Sequence, residues 1–287
     1  MKSIKYLMLA VASAFMLSSC SEKNVDVDAP WETVNNNQAQ VQILFEAPVV
    51  NNTSNYIYKI EMAGMTYVNN GAAMITPYNG APGGSTGLFY TIPAGEQSLK
   101  LYGKNDVVVV DQKFTVEGGK KYQVFIAETD KAPIVIECPA IPHKTTTNTA
   151  EYCAVRFYNF MWETAGVRPD YKLQLRIQAY DNETKTYGEY VSVGKPVGFG
   201  EATEWLMPDV YKTSYNSAGS QRINLDVMKV MPDGSLEPLT WLNSSANEQA
   251  KFTDYWTESI GRGYCWILRG VRNETIAPIA ISQWTLR

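Results

Sequence analysis

One histidine, His143, stands in a chain of 287 residues. A serine or cysteine nucleophile needs a base within hydrogen-bond reach, held on a rigid scaffold. His143 falls in a Pro/Thr-rich stretch and reads as a solvated loop residue. Glycoside hydrolysis needs two carboxylates several ångströms apart. Glu201, Glu204 and Asp209, near Trp205, are the nearest grouping, and 29 acidic residues produce such groupings by chance. Asp226, Asp233 and Gly234 lack the calcium-loop spacing, and Met231-Pro232-Asp233-Gly234-Ser235 is a β-turn pattern. Neither a phosphate loop nor a dinucleotide fingerprint occurs. The reading is therefore of no catalytic residues, no metal and no cofactor. Aromatic residues offer binding instead. Trp162, Trp205 and Trp241 fall in or beside loops of the second half, where flat rigid side chains stack on sugars or anchor proteins. They make a ligand site only if they converge in space. Trp266 alternates with Tyr264 and Leu268 and reads as core, as does Trp256.

Three internal cysteines, Cys138, Cys153 and Cys265, permit at most one disulfide and match no zinc spacing. By alternation Cys153 shares a face with Val155 and Phe157, while Cys265 faces away from Trp266. The two thiols then point apart and bridge only with distortion. A Cys138–Cys153 pair across the linker is the other option, and pairing stays open.

The elements that must position these residues are strands. Apolar and polar residues alternate over Val41–Phe45, Tyr56–Met62, Leu88–Ile92, Ser98–Tyr102, Val107–Val110, Lys113–Val116, Tyr122–Ala127 and Ile134–Ile136. Asn69-Asn70-Gly71 and Glu117-Gly118-Gly119-Lys120 supply turns. Cys138–Glu151, with two prolines and a Thr/Asn tract, reads as extended, unpaired linker. A second series then runs over Tyr152–Tyr158, Tyr171–Tyr180, Tyr190–Val193, Ile223–Val230, Tyr264–Arg269 and Ile276–Leu286. The stretch from Phe114 to Ile126 lies without a gap against Trp256 to Leu268, and Val41-Gln42 matches Val155-Arg156, so a duplication is read. The fold class is all-β, two tandem β-sandwich domains at 40–137 and 152–287 joined by 138–151.

Val41–Pro48, the strand Tyr56–Gly64, Ile92-Pro93-Ala94-Gly95 and the Gly118-Gly119-Lys120-Lys121-Tyr122 turn resemble the bacterial "domain of unknown function 4397" family. The resemblance covers most of 40–137 and, more faintly, 152–287. It implies small immunoglobulin- or transthyretin-like antiparallel sandwiches, often in tandem in exported proteins, with no common activity. The chain carries Glu46-Ala47-Pro48-Val49-Val50 where the family has Ser-Pro-Asp-Ala-Pro.

The N-terminus explains where such domains would act. Lys2 and Lys5, an apolar run from Tyr6 to Leu17, and Ser18-Ser19 make a secretory signal over 1–19, too short to span a bilayer of about 30 Å. Leu17-Ser18-Ser19-Cys20 resembles the lipobox of bacterial lipoproteins, which implies lipid on Cys20. The polar segment 20–39 reads as a tether, and its acidic start resembles the surface-export signal of Bacteroidota-type outer-membrane lipoproteins. The implied address is the outer membrane, lipid-anchored and facing outward. Losing Lys2 and Lys5 with the signal takes the formal charge from −4 to −6, and no basic patch suggests nucleic acid. Membrane contact through the lipid, and a protein partner or a glycan, are the expected partners. The function read from sequence is non-catalytic binding or a structural role in the envelope, with a glycan-directed hydrolase as a distant alternative.

Overall fold

The computed structural model describes residues 35–48, 56–82, 87–142, 150–181, 184–211 and 219–286. The signal, Cys20, most of the tether and His143 lie outside the described residues. No described helix is long and apolar enough to cross a membrane. Everything described belongs to one compact unit, 34–287, and its regular structure is nearly all strand.

The first half contributes β1 (Gln38–Phe45), β2 (Lys59–Met62), β3 (Met65–Val68), β4 (Gly80–Ala81), β5 (Tyr90–Pro93), β6 (Gly95–Tyr102), β7 (Val108–Val116), β8 (Lys121–Ile126) and β9 (Ile134–Glu137). They form two sheets, ordered β4-β1-β8-β9, with β5 also on β1, and β3-β2-β6-β7. The second half contributes β10 (Ala150–Tyr152), β11 (Ala154–Trp162), β12 (Lys172–Asp181), β13 (Thr186–Ser192), β14 (Asp209–Tyr211), β15 (Ser220–Val230) and β16 (Leu236–Pro238). It continues with β17 (Trp241–Leu242), β18 (Glu248–Gln249), β19 (Thr253–Ser259), β20 (Gly263–Val271) and β21 (Ala280–Leu286). Its main sheets are ordered β11-β20-β21 and β13-β12-β15-β16, with β19 also on β15. Among the described residues every strand pair stays within its own half.

The two halves are wired alike. β1 pairs with β8 in parallel, Val41 opposite Tyr122, and β11 pairs with β20 in parallel, Val155 opposite Tyr264. All other named pairs are antiparallel. The bond from Gly119 N to Gln38 O recurs as Gly261 N to Tyr152 O, and Gln40 N to Lys120 O as Ala154 N to Arg262 O. Each turn is also closed by a tyrosine hydroxyl that accepts a main-chain N–H: Glu117 N to Tyr122 at 3.2 Å, Ser259 N to Tyr264 at 2.9 Å. The turn must be tight, since a Cβ on Gly118 would lie 1.7 Å from Asn36 O. Because one neutral hydrogen bond is lost in each, Tyr122→Phe and Tyr264→Phe should each cost about 1 kcal/mol in urea unfolding. A cost at one turn and none at the other would show that the tyrosines are not the same device.

Two expectations change. The interval between Val107–Val110 and Lys113–Val116 is not a break, since β7 runs through it, Asp111 and Gln112 pairing with β6. The 138–151 segment is not unpaired at its described ends. Cys138 N donates to Lys121 O at 2.8 Å, and Ala150 pairs with Tyr211 in the β10–β14 ladder.

Each half has its own core. Val41, Ile43 and Phe45 meet Ile60, Leu99, Val124 and Ile126 in the first. Phe157, Leu175, Leu225, Trp266 and Leu268 meet in the second. A third cluster joins them. Leu44 and Phe125 on the back of the first sheet meet Tyr158, Phe160, Trp162, Cys265, Ile267 and Trp284 on the back of β11-β20-β21. Period-2 alternation decides which residue goes where. In β1 the odd positions face the first core and Leu44 faces the seam, while in β11 Phe157 goes to the second core and Tyr158 and Phe160 to the seam.

Candidate functional site

The three tryptophans do not gather on a surface. Trp162 is the last residue of β11 and has no exposed surface. Its ring sits edge-on to Phe199, centroids 4.7 Å apart. Its place beside a loop holds, but the ligand contact expected of it is corrected: β11 is buried on both faces, and its final side chain is enclosed in the seam. Trp205 also packs onto the seam, where its indole N–H donates to Pro139 O at 3.2 Å. Trp241 lies in β17, half-buried against the second core and edge-on to Phe252 at 5.8 Å. Trp266 is core, as alternation required, and Trp256 packs against that core, as its match to Phe114 in the first half required.

The seam is the most elaborate feature of the described residues. Phe125 stacks on Phe160, centroids 4.2 Å apart and planes 20° apart, and lies 5.6 Å from Tyr158. Gln123 reaches across, its Nε2 3.3 Å from Gln42 Oε1 and 3.8 Å from Cys265 Sγ. At the rim Arg168 of the second half pairs with Glu128 of the first. Arg168 also lies 4.7 Å over Phe199. Fully buried aromatics contribute about 1.5–3 kcal/mol each, so these contacts hold the two sandwiches as one body.

Burial shifts the titratable groups of the interior. Cys138, Cys153 and Cys265 are free and buried. Cys153 belongs to the second core and Cys265 to the seam, so they point apart as alternation required. Burial pushes the Cys138 thiol up to about 11 and Cys265 to about 12. A thiol that keeps its proton at neutral pH is a poor nucleophile. Glu46 is wholly buried at the seam with no hydrogen-bond partner on either carboxyl oxygen. Burial pushes it up to about 8 despite the opposing pull of Arg269. Glu258 is pushed up to about 7 by burial, although Trp266 Nε1 and Gln283 Nε2 each donate to its Oε1 at 2.7 Å. Neither group was singled out by sequence, since a lone glutamate gives no sign that its strand face is covered.

Among the acids that were singled out, Glu201 caps its own turn, accepting Gly198 N–H at 2.8 Å. Asp209 begins β14 opposite Tyr152. Asp233 closes the expected turn, accepting Ser235 N–H at 2.9 Å. No group of three His, Cys, Asp or Glu side chains among the described residues is placed to hold a metal.

The outer face of β3-β2-β6-β7 is open. Val68, Lys59, Tyr102 and Val108 form a row across it. Lys59 lies 3.9 Å over the Tyr102 ring and 2.7 Å from Asp106, and the hydrogen bond it donates to that acid raises the lysine's pKa above its ordinary value. Val68 and Val108 are 61% and 51% exposed, with Val107 beside them at 62%.

No family model matches the chain, so the resemblance to domain of unknown function 4397 gains no support there. No curated protein matches either. Solved structures that resemble it include proteins called "putative cell adhesion protein" from Bacteroides uniformis, Parabacteroides distasonis and Bacteroides eggerthii. The first is 10% identical over 86% of this chain and 98% of its own, with a TM-score of 0.24. The second is 8% identical over 87% and 98%, at 0.21. The third is 9% identical over 89% and 99%, also at 0.21. At these scores the likeness carries no argument about function.

Proposed function

We propose that this chain is a lipid-anchored, outward-facing envelope protein with a non-catalytic binding or structural role, engaging a protein partner or an envelope assembly. The observation that supports this reading is the aromatic seam. It commits the conspicuous aromatics to holding two sandwiches rigid, and leaves broad charge-laced outer faces such as the Val68–Lys59–Tyr102–Val108 row. A pre-organised body loses little ordering entropy when a partner docks. Lipid on Cys20 would fix the N-terminus, and the polar tether would give reach. A glycan-capturing accessory lipoprotein is the second reading, favoured by the partial exposure of Trp205 and Trp241.

Anchoring is tested by feeding producing cells labelled palmitate and shaving intact cells with protease. The wild-type chain should take up label and be cleaved from outside, while Cys20→Ala should do neither. An unlabelled wild-type chain, or one protected until cells are lysed, would remove the display reading.

A further inference from the structure

A cleft of about 430 Å³ opens where β9 of the first half meets β11, β12 and the 195–202 loop of the second. We propose that this cleft is an oxyanion site that takes the carboxylate of an acidic sugar. Arg156 is the observation that carries it. The residue is half-buried, its hydrogen-bond partners are main-chain carbonyls, Nε donating to Thr203 O at 2.8 Å and Nη1 to Glu137 O, and its guanidinium lies 5.3 Å over the Tyr158 ring. Carbonyls orient a guanidinium but do not cancel its charge. Arg156 has no carboxylate partner among the described residues, and Nη2 is left without an acceptor. A partly desolvated cation with no counter-charge is costly and calls for an anion.

Two further cations line the same cleft, Lys172 and Lys195. Neither has an ion pair or side-chain hydrogen bond among the described residues. Elsewhere cations are mostly engaged: Lys59 with Asp106, Lys100 with Asp111, Lys113 with Glu96, Arg176 and Lys251 with Asp226, Arg272 with Glu163. Of the lining acids, Glu137 is paired with Lys120 at 3.0 Å and Glu201 accepts only Gly198 N–H at 2.8 Å, so three cations stand beside two carboxylates in the cleft. The cleft thus gathers three cations that have no ion pair among the described residues, Arg156, Lys172 and Lys195, in a chain whose formal charge is −4, and a concave site focuses that field.

The walls narrow the ligand. At about 430 Å³ the cleft has room for more than a bare inorganic anion. None of its lining residues is aromatic, so a nucleobase finds no stacking face. The lining residues are mostly charged side chains and backbone, which suits a body rich in hydroxyls. Gly200 keeps the floor close to β9: it sits at φ +76°, and a Cβ there would come within 2.8 Å of Ile134 Cδ1. This site is independent of the protein-partner reading, and it does not use the tryptophans.

The test is calorimetric titration of the full chain at low salt with tri-galacturonate, inorganic phosphate and neutral maltotriose. Saturable binding of tri-galacturonate is expected, weakened by high salt. Lys172→Ser with Lys195→Ser should weaken it about ten-fold or more at unchanged melting temperature, because both lysines are exposed and unpaired. Phosphate should compete weakly, as the bare oxyanion, and maltotriose should not bind. Tighter binding of phosphate than of the uronate would overturn the sugar assignment. No saturable tri-galacturonate binding, or equal binding by the double variant, would overturn the site.

Discussion

Replacing Glu46 with leucine should remove about half of the fall in stability expected of the wild-type chain between pH 5 and pH 8. The carboxyl is fully buried, has no hydrogen-bond partner, and is raised by burial from 4.5 to about 8. In the unfolded chain it loses its proton near the ordinary value, while in the native state it keeps it. Its stabilising contribution is therefore fully present below about pH 4.5 and is lost as pH rises towards 8. At 1.36 kcal/mol per unit, the loss between pH 5 and pH 8 is on the order of 3 kcal/mol. Packing changes caused by leucine shift the whole curve and leave its slope alone. Glu258, raised to about 7, remains in the variant and keeps a smaller fall between pH 4.5 and 7. Urea unfolding of both proteins across this range reads the difference. Parallel curves would mean that Glu46 is ionised and paired with Arg269 in the fold.

The second large effect belongs to the seam. Phe160→Ala should cost about 3–5 kcal/mol, the range for emptying a buried aromatic site, because Phe160 has no exposed surface and stacks on Phe125 from the other half. Phe125→Ala should cost a similar amount. The double variant should fall short of the sum by about 1 kcal/mol, the worth of an aromatic pair beyond its buried area. A loss under about 1 kcal/mol for Phe160→Ala would mean that the two sandwiches do not depend on one another.

Much of each sandwich was legible because alternation and turn chemistry act locally. Tyr264, Trp266 and Leu268 were placed on one core face, Cys153 and Cys265 on opposite faces, and Asp233-Gly234 in a turn. The ungapped match of Phe114–Ile126 to Trp256–Leu268 lines up residues whose hydrogen bonds recur in the structure. The seam was not anticipated, although its signal is present. Phe157-Tyr158-Asn159-Phe160-Met161-Trp162 and Tyr264-Cys265-Trp266-Ile267-Leu268 hardly alternate in polarity, as expected of strands covered on both faces. Reading only one face of each strand as core left Trp162 free for a ligand, when the second face was burying it. The cleft at Arg156 was beyond reach for a different reason. Its residues come from Val135–Glu137, Arg156, Lys172 and Lys195–Ala202, and only packing of the halves brings them together.

The central claim is that a rigid two-sandwich body is displayed to bind a partner, and photo-crosslinking in intact cells tests it most directly. A photo-reactive phenylalanine at Val108 or Val68, both exposed on the outer face of β3-β2-β6-β7, should give discrete adducts with an envelope protein. The same group at the enclosed Trp162 position should give none. Val108 and Val68 derivatives that yield only unmodified chain in intact cells would contradict the protein-partner account.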